Sequence, residues 1–431
     1  MIDRLMRLFG DVLPGEGRRV LLLLSNIFLL LVAYYIIKTV REPLILATGG
    51  AELKSYAAAV QAAVLLLYVP AYGWVASKLA RENLIIAVLV FFLVCIQLFV
   101  LAGMSGMPGL GFVFYVWVGI FSLTTIAQFW SYANDIYNKT EGDRLFPMIA
   151  VGSTAGAPLG AAAAEWLFET GVSPWLMLEL ASGLLVVHLL LYLSVRGASS
   201  KQERQAAAPI TGRNGFALVL QSPYLRLIGL LVILLNLVNT IGEYILASLV
   251  TAHATELAAG NPSFDVGAYI GAFYGSYFFW VNVVSVTVQA FVVSRFVKLV
   301  GIAGVLFALP IVALGAYGLV AFGASMMLAR VIKTVENATD YSAMNTAKQM
   351  LWLPTSREEK YKGKQAVDTF CFRSGDMLAA GLVFLGTHHL TLSTEGFAVA
   401  NLVVVVGALL VAWLLLREYR RVTAAPDPAG S

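Results

Sequence analysis

The feature that most constrains this chain is a succession of apolar runs, each about twenty residues long and divided by short polar stretches. They fall near 20–46, 56–77, 84–103, 110–134, 145–167, 175–195, 224–250, 265–293, 300–322, 325–345, 365–387 and 394–416. A helix of about twenty residues crosses the ~30 Å hydrocarbon core of a bilayer. Lipid offers no partner to an open backbone N–H or C=O, so a run of this length must close its hydrogen bonds within itself, as a helix. Outer-membrane strands would instead appear as short segments of alternating polarity. The expected fold class is therefore all-α, a polytopic membrane protein with about twelve transmembrane helices. Composition agrees: 59% of the 431 residues are hydrophobic and 13% are charged, against roughly 25% charged in soluble domains. That excludes an ordinary soluble enzyme. Cys95 and Cys371 both sit in apolar runs, so neither a disulfide framework nor a zinc site is expected. The first run follows Arg18-Arg19, is too long for a signal h-region and lacks a small-residue cleavage site, so no removable signal is expected.

Basic residues orient the spans. With the N-terminus placed in the cytoplasm, about 22 of the 29 basic residues fall in cytoplasmic segments, and the outer loops hold Lys54 alone. The basic balance is thus the positive-inside bias and implies no nucleic-acid partner. The expected location is a bacterial inner membrane, with both termini cytoplasmic. Six spans (1–195), a polar connector (196–222) and six more (223–431) give two halves that look like distant copies. The loop Asn138–Arg144 after span 4 and the loop Ser356–Lys364 after span 10 are both mixed in charge, and each precedes a helix with small residues. Duplicated six-helix bundles are the build of major facilitator-like transporters, which hold substrate at a central cavity.

Charged residues inside spans carry the functional signal, because each costs roughly 2.5–3.5 kcal/mol at a helix centre unless it faces a partner, water or a ligand. In span 10, Arg330, Lys333, Glu336 or Asn337, and Asp340 recur at three- and four-residue steps and so share one helical face. Span 1 carries Lys38, Arg41 and Glu42, followed by Pro43; span 7 carries Asn236, Asn239 and Glu243; span 4 ends in Gln128, Trp130, Asn134 and Asp135. These are the first and fourth helices of each half. Lys38, Arg41, Arg330, Lys333 and Arg373 form a basic set suited to phosphate or carboxylate: arginine offers a planar fork and lysine a mobile point charge. Glu243 is expected to pair with these cations in the empty state. Lys38–Glu42 and Lys333–Glu336 are natural ion pairs, and the competing reading is that such pairs merely lock helices together. Tyr34, Tyr35, Trp117 and Tyr274 could stack a flat ring, although aromatics in spans mostly pack. A small anionic substrate with a polar or aromatic body is the bottom-up expectation.

Other patterns point elsewhere. Gly152, Gly156 and Gly160 repeat at four-residue steps and predict close helix packing. Gly363-Lys364 lacks the rest of a Walker loop, and His388-His389 have no ligand spacing around them. No nucleophile–base constellation supports an enzyme, and no cofactor is expected.

Three stretches resemble the ATP/ADP translocase family of intracellular bacteria and plastids. They are Ile37–Leu44; Gln128–Tyr137 continuing through Arg144–Gly152; and Tyr341-Ser342 with Ala347–Met350, Leu353-Pro354 and Tyr361–Asp368. The resemblance implies a facilitator-type transporter of twelve helices that exchanges ATP for ADP or imports nucleotides with protons. It puts Arg41 at an essential first-helix lysine, Glu243 at a seventh-helix glutamate with Asn239 its neighbour, and Lys362 and Lys364 in a lysine-glycine-lysine loop. Two positions depart from the family pattern. A fourth-helix glutamate is replaced by an apolar residue near Val118, and an eleventh-helix lysine appears as Asp376. Asn239, Glu243 and Asn337 are thus expected to bind substrate alongside the basic set. Glu42, Asn134, Asp135, Glu336, Asp340, Lys362, Lys364, Asp368 and Asp376 are expected in gating or ion pairs, with Asp368 or Asp376 the candidate for carrying a proton. Transport of another anion, such as a phosphorylated metabolite or a lipid headgroup, and a non-transporting receptor or scaffold are the alternatives.

Overall fold

A computed structural model describes residues 12–78, 81–196, 215–323 and 325–424. Every regular element among them is helical: α1 (17–49), α2 (51–78), α3 (Arg81–Met104), α4 (Leu110–Ile136), α5 (Lys139–Glu169), α6 (Pro174–Arg196), a short helix Gly215–Gln221, and α7 (Pro223–Gly260). After these come α8 (266–300), α9 (302–321), α10 (326–351), α11 (357–388) and α12 (Thr394–Ala424). Eight stretches are long and apolar enough to cross a membrane, and two of them, Gly17–Ala76 and Val266–Ala321, each carry two of the runs. The polar runs of α10 and α11 complete the twelve expected spans among the described residues. Arg4, Arg7, Lys201, Arg204 and Arg213, and residues 197–214 of the expected connector, lie outside the described residues.

Two expected loops are not loops. The chain passes from α1 to α2 at Gly50 (φ 64°, ψ −167°) and from α8 to α9 at Gly301 (φ 62°, ψ −165°). That backbone region is essentially open to glycine alone, so one residue does the work of a connecting segment. Residues 51–55, expected outside the helices, form the first turn of α2 instead. Elsewhere the starts follow ordinary capping: Asn138 Oδ1 accepts from Glu141 N (2.9 Å) while Glu141 Oε2 accepts from Asn138 N (3.0 Å), a reciprocal box that begins α5. Three π-helical segments interrupt the polar helices: Asp340–Met344 in α10, and Glu359–Gly363 and Val367–Cys371 in α11. A fourth, Gln289–Val293, lies in α8.

Helix contacts within each half repeat one plan. Gly152, Gly156 and Gly160 of α5 face Leu24, Phe28 and Val32 of α1, four residues apart on both sides; a Cβ on Gly156 would lie 2.6 Å from the Phe28 carbonyl oxygen. In the second half Gly375 of α11 faces Ile233 and Asn236 of α7 in the same way, with a Cβ there 2.9 Å from the Ile233 oxygen. Close approach of this kind is what small residues permit between membrane helices.

The chain divides into two compact units. The first comprises Met1–Gly49, Leu67–Gln205 and Ala254–Asn282; the second comprises Gly50–Leu66, Ala206–His253 and Val283–Ser431. Within the first, Gly275 of α8 packs on Glu165 of α5. Within the second, the beginning of α2 is tied to the end of α11, where Glu52 sits 3.2 Å from His388 Nε2 and accepts from Tyr56 Oη (2.6 Å).

Candidate functional site

The polar face of α10 turns inward. Met327, Val331 and Val335 are exposed, while Lys333, Glu336 and Asn337 are 3%, 2% and 7% exposed. Ser325 caps the helix through Leu328 N. Lys333 Nζ donates to Asn239 Oδ1 (2.7 Å), to the Asn239 carbonyl (3.1 Å) and to Glu336 Oε2 (3.1 Å). Tyr317 Oη of α9 donates to the same Glu336 oxygen (2.6 Å). One turn along α7 from Asn239, Glu243 Oε1 accepts from Asn337 Nδ2 (3.2 Å), and its Oε2 lies 3.7 Å from Lys54 Nζ. Five residues singled out by spacing thus fall in two neighbouring parts of one polar network, Asn239, Lys333 and Glu336 in one and Glu243 and Asn337 a turn along α7 in the other. Two members escaped the sequence reading. Tyr317 lies in a run with no charge pattern. Lys54 sits in the polar stretch Glu52–Tyr56, which reads as an outer loop. In the structure Lys54 is 6% exposed and is a cation beside Glu243 that the basic set did not include. The Lys333–Glu336 pair stands as expected.

A second cluster joins α7 to α11. Asp376 Oδ1 accepts from Asn236 Nδ2 (2.8 Å) and Thr240 Oγ1 (2.9 Å), and Arg373 Nη1 lies 3.4 Å from Oδ2. Asn236 Nδ2 also donates to the Phe372 carbonyl (2.7 Å). The glycine at 375 makes these distances possible by letting the two backbones approach. The acid at 376 is therefore balanced one turn earlier on its own helix. Farther along, Asp340 pairs with Lys348 at 3.2 Å. The two are eight residues apart, which on a regular helix turns them about 80° from each other. The π segment between them adds a residue to the turn and restores a common face. Lys364 Nζ donates to Gln349 Oε1 (2.6 Å), Lys362 lies 3.7 Å from Glu358, and Asp368 is exposed. Arg330 is partly exposed at the start of the α10 face.

In the first unit Arg41 pairs with the fully buried Glu42, and its guanidinium lies 4.2 Å from the Tyr115 ring centroid. Lys38 Nζ stands 4.0 Å from the centre of the Phe278 ring and 5.1 Å from that of Tyr35, a cation–π arrangement. Tyr35 Oη donates to Asn282 Oδ1 (3.1 Å). The partner that Glu42 shows here, its sequence neighbour Arg41, is one that the four-residue spacing did not point to. Asn134 and Asp135 are exposed at the end of α4. A cavity of ≈ 230 Å³ bounded by Tyr72, Ala76, Leu84, Ile85, Ala127, Gln128 and Ser131 has no charged wall, and none of the candidate charges lines it.

Chemically, both units hold cations beside internal carboxylates, an arrangement that can exchange one anion for another. The profile of a family described as TLC ATP/ADP transporter matches residues 5–103 and 111–419. The ADP,ATP carrier protein 1 of Chlamydia pneumoniae is 25% identical over 306 residues, 61% of this chain and 58% of the relative. Its counterpart from Chlamydia trachomatis serovar D is 27% identical over 305 residues, 61% of this chain and 56% of the relative. The chain thus spans little more than half the length of these curated relatives. Among solved structures, the nucleoside transporter NupG superposes with a TM-score of 0.65 at 13% identity, covering 93% of this chain and 99% of that one. A bacterial homolog of the human lysosomal transporter Spinster gives 0.63 at 14% identity, covering 97% and 100%. The POT family transporter PepTSo gives 0.65 at 12%, covering 95% and 99%. The fold is that of facilitator-type transporters, and the protein is an integral membrane protein.

Proposed function

The chain belongs to the TLC ATP/ADP transporter family, and from that premise we propose that it moves an anionic, phosphorylated solute, ATP and ADP first, by alternating access of its halves 1–195 and 223–431. The observation that carries this reading is the pairing of cations with internal carboxylates on α1, α7, α10 and α11. An incoming phosphate competes with those carboxylates for the same cations, and this differential interaction biases one conformation over another. Lys38, Arg41, Arg330 and Arg373 receive the anion, and Lys333 contributes through Asn239, which it fixes. Glu243 and Asn337 complete the polar surround. Glu42, Glu336, Asp340 and Asp376 act as resident counter-ions. Asn134, Asp135, Lys362, Lys364 and Asp368 serve the cytoplasmic gate, in a bacterial inner membrane with both termini cytoplasmic. The relatives named as ADP,ATP carriers support nucleotides as the substrate.

The test is counter-exchange. Purified protein in liposomes loaded with ADP should take up labelled ATP with a time course that empty liposomes lack. No ATP/ADP exchange, together with exchange of a different phosphorylated solute, would retire the nucleotide reading and keep the transporter. That second reading is favoured by Asp376, a carboxylate where the resemblance expects a lysine.

A further inference from the structure

The second unit buries two lysines beside two glutamates, and the two pairs are not alike. Lys333 is held by three acceptors at 2.7–3.1 Å, and in that pair the lysine and Glu336 side chains are 4% and 3% exposed. Lys54 and Glu243 stand 3.7 Å apart, beyond the 2.7–3.2 Å of a good N–H···O bond, and the Glu243 side chain is 24% exposed. The Glu243 end is thus the more open of the two, and Lys54 is a cation standing beside it. Glu243 has a second holder: Asn337 Nδ2 donates to its Oε1 at 3.2 Å. Its carboxylate can yield the ammonium without being stranded. A buried lysine is costly wherever it lies.

We propose that Lys54 is a substrate-binding cation: the phosphoryl group takes its ammonium from Glu243, while Glu243 stays on the Asn337 amide. The assignment rests on the nucleotide reading above and adds to it a residue from α2 that the basic set did not contain. Lys333 then acts as a positioning residue, holding Asn239 and Glu336 in place beneath the exchange.

The test measures ADP binding to the purified full-length protein for wild type, Lys54→Arg, Lys54→Gln, Glu243→Gln and the double variant Lys54→Gln/Glu243→Gln. Because the double variant removes both charges of this pair together, it separates the loss of the cation from the cost of stranding its partner. Expected results are a roughly tenfold or greater loss of ADP affinity for Lys54→Gln and for the double variant, with Lys54→Arg within a few-fold of wild type. Glu243→Gln should bind ADP more tightly, since its lysine is no longer claimed, a change that a structural rivet would not produce. If wild type exchanges ATP for ADP but the double variant binds ADP as wild type does, the Lys54 assignment is overturned and the transport reading stands. If Glu243→Gln binds more weakly, the competition between Glu243 and substrate is overturned as well. If wild type neither binds nor exchanges adenine nucleotide, both fall.

Discussion

Replacing Glu336 by glutamine leaves Lys333 charged, 3% exposed and facing only amide and carbonyl oxygens from its former triad. Removing one partner of a buried ion pair costs about 3–5 kcal/mol, because the other charge stays behind uncompensated. The Asn239 oxygens at 2.7 and 3.1 Å still solvate the ammonium, so Glu336→Gln should lie near the lower end, about 3 kcal/mol. Lys333→Met is expected to cost more, about 4–5 kcal/mol. It leaves the carboxylate with Tyr317 as its hydrogen-bond donor and strips Asn239 of its partner. The double variant removes both charges, and its cost should fall to about 2–3 kcal/mol, a coupling of about 4–6 kcal/mol between the two positions. Equilibrium unfolding of the three variants in mixed micelles, followed by far-ultraviolet circular dichroism, measures all three terms. Costs that simply add, or single variants within about 1 kcal/mol of wild type, would mean that the pair is solvated and would refute the buried network.

Three further outcomes follow from the packing and the termini. Gly160→Leu places a Cβ 2.7 Å from the Val32 carbonyl oxygen and must push α5 off α1; the expected cost is about 1–3 kcal/mol or more, seen as a lowered unfolding temperature, whereas Gly183→Ala, with nothing within 4 Å, should be neutral or stabilising by up to about 1 kcal/mol. Gly50→Ala meets no neighbour yet occupies a backbone region closed to side chains, so it should cost about 1–3 kcal/mol in the same assay, and an unchanged unfolding temperature would contradict the hinge. Before α1, Glu16 is pushed up by partial burial but is carried below its ordinary 4.5 by the hydrogen bonds from Arg144 and the Leu13 amide and by the Arg144 charge. A carboxyl with a depressed folded pKa adds stability above its unfolded value and loses it as the pH falls through the folded one. The stability difference between wild type and Arg144→Ala should therefore shrink as the pH drops through and below 4.5; a difference that grows on acidification would reverse the assignment.

How far the sequence was legible depended on whether a signal was local. The helices announced themselves because hydrocarbon demands long uninterrupted runs. The inward face of α10 did too, because three- and four-residue spacing is the helix period, and Lys333, Glu336 and Asn337 fell where it placed them. The further surroundings of the span 1 charges were not legible: the ring of Phe278, far away in sequence, lies against the Lys38 ammonium, and Arg41 pairs with its own neighbour Glu42. Lys54 was missed for a related reason. Its stretch is polar enough to read as a loop, and only the backbone at Gly50 reveals that the helix resumes immediately. Tyr317 carries no pattern at all, since a single hydroxyl in an apolar run acquires meaning only from the carboxylate that finds it. The Asp340–Lys348 pair violates the regular helical register and depends on a local underwinding that periodicity cannot see.

That underwinding has an evolutionary consequence. Each π segment is, in effect, one surplus residue lodged in a helix, so a homologue lacking it would show a one-residue deletion within a membrane span. Such a deletion in α10 would leave Lys348 seven residues from Asp340, about 20° away on a regular helix and still on the same face. The bulge and its surplus residue should thus be inherited or lost together, with the Asp340–Lys348 pair kept in register either way.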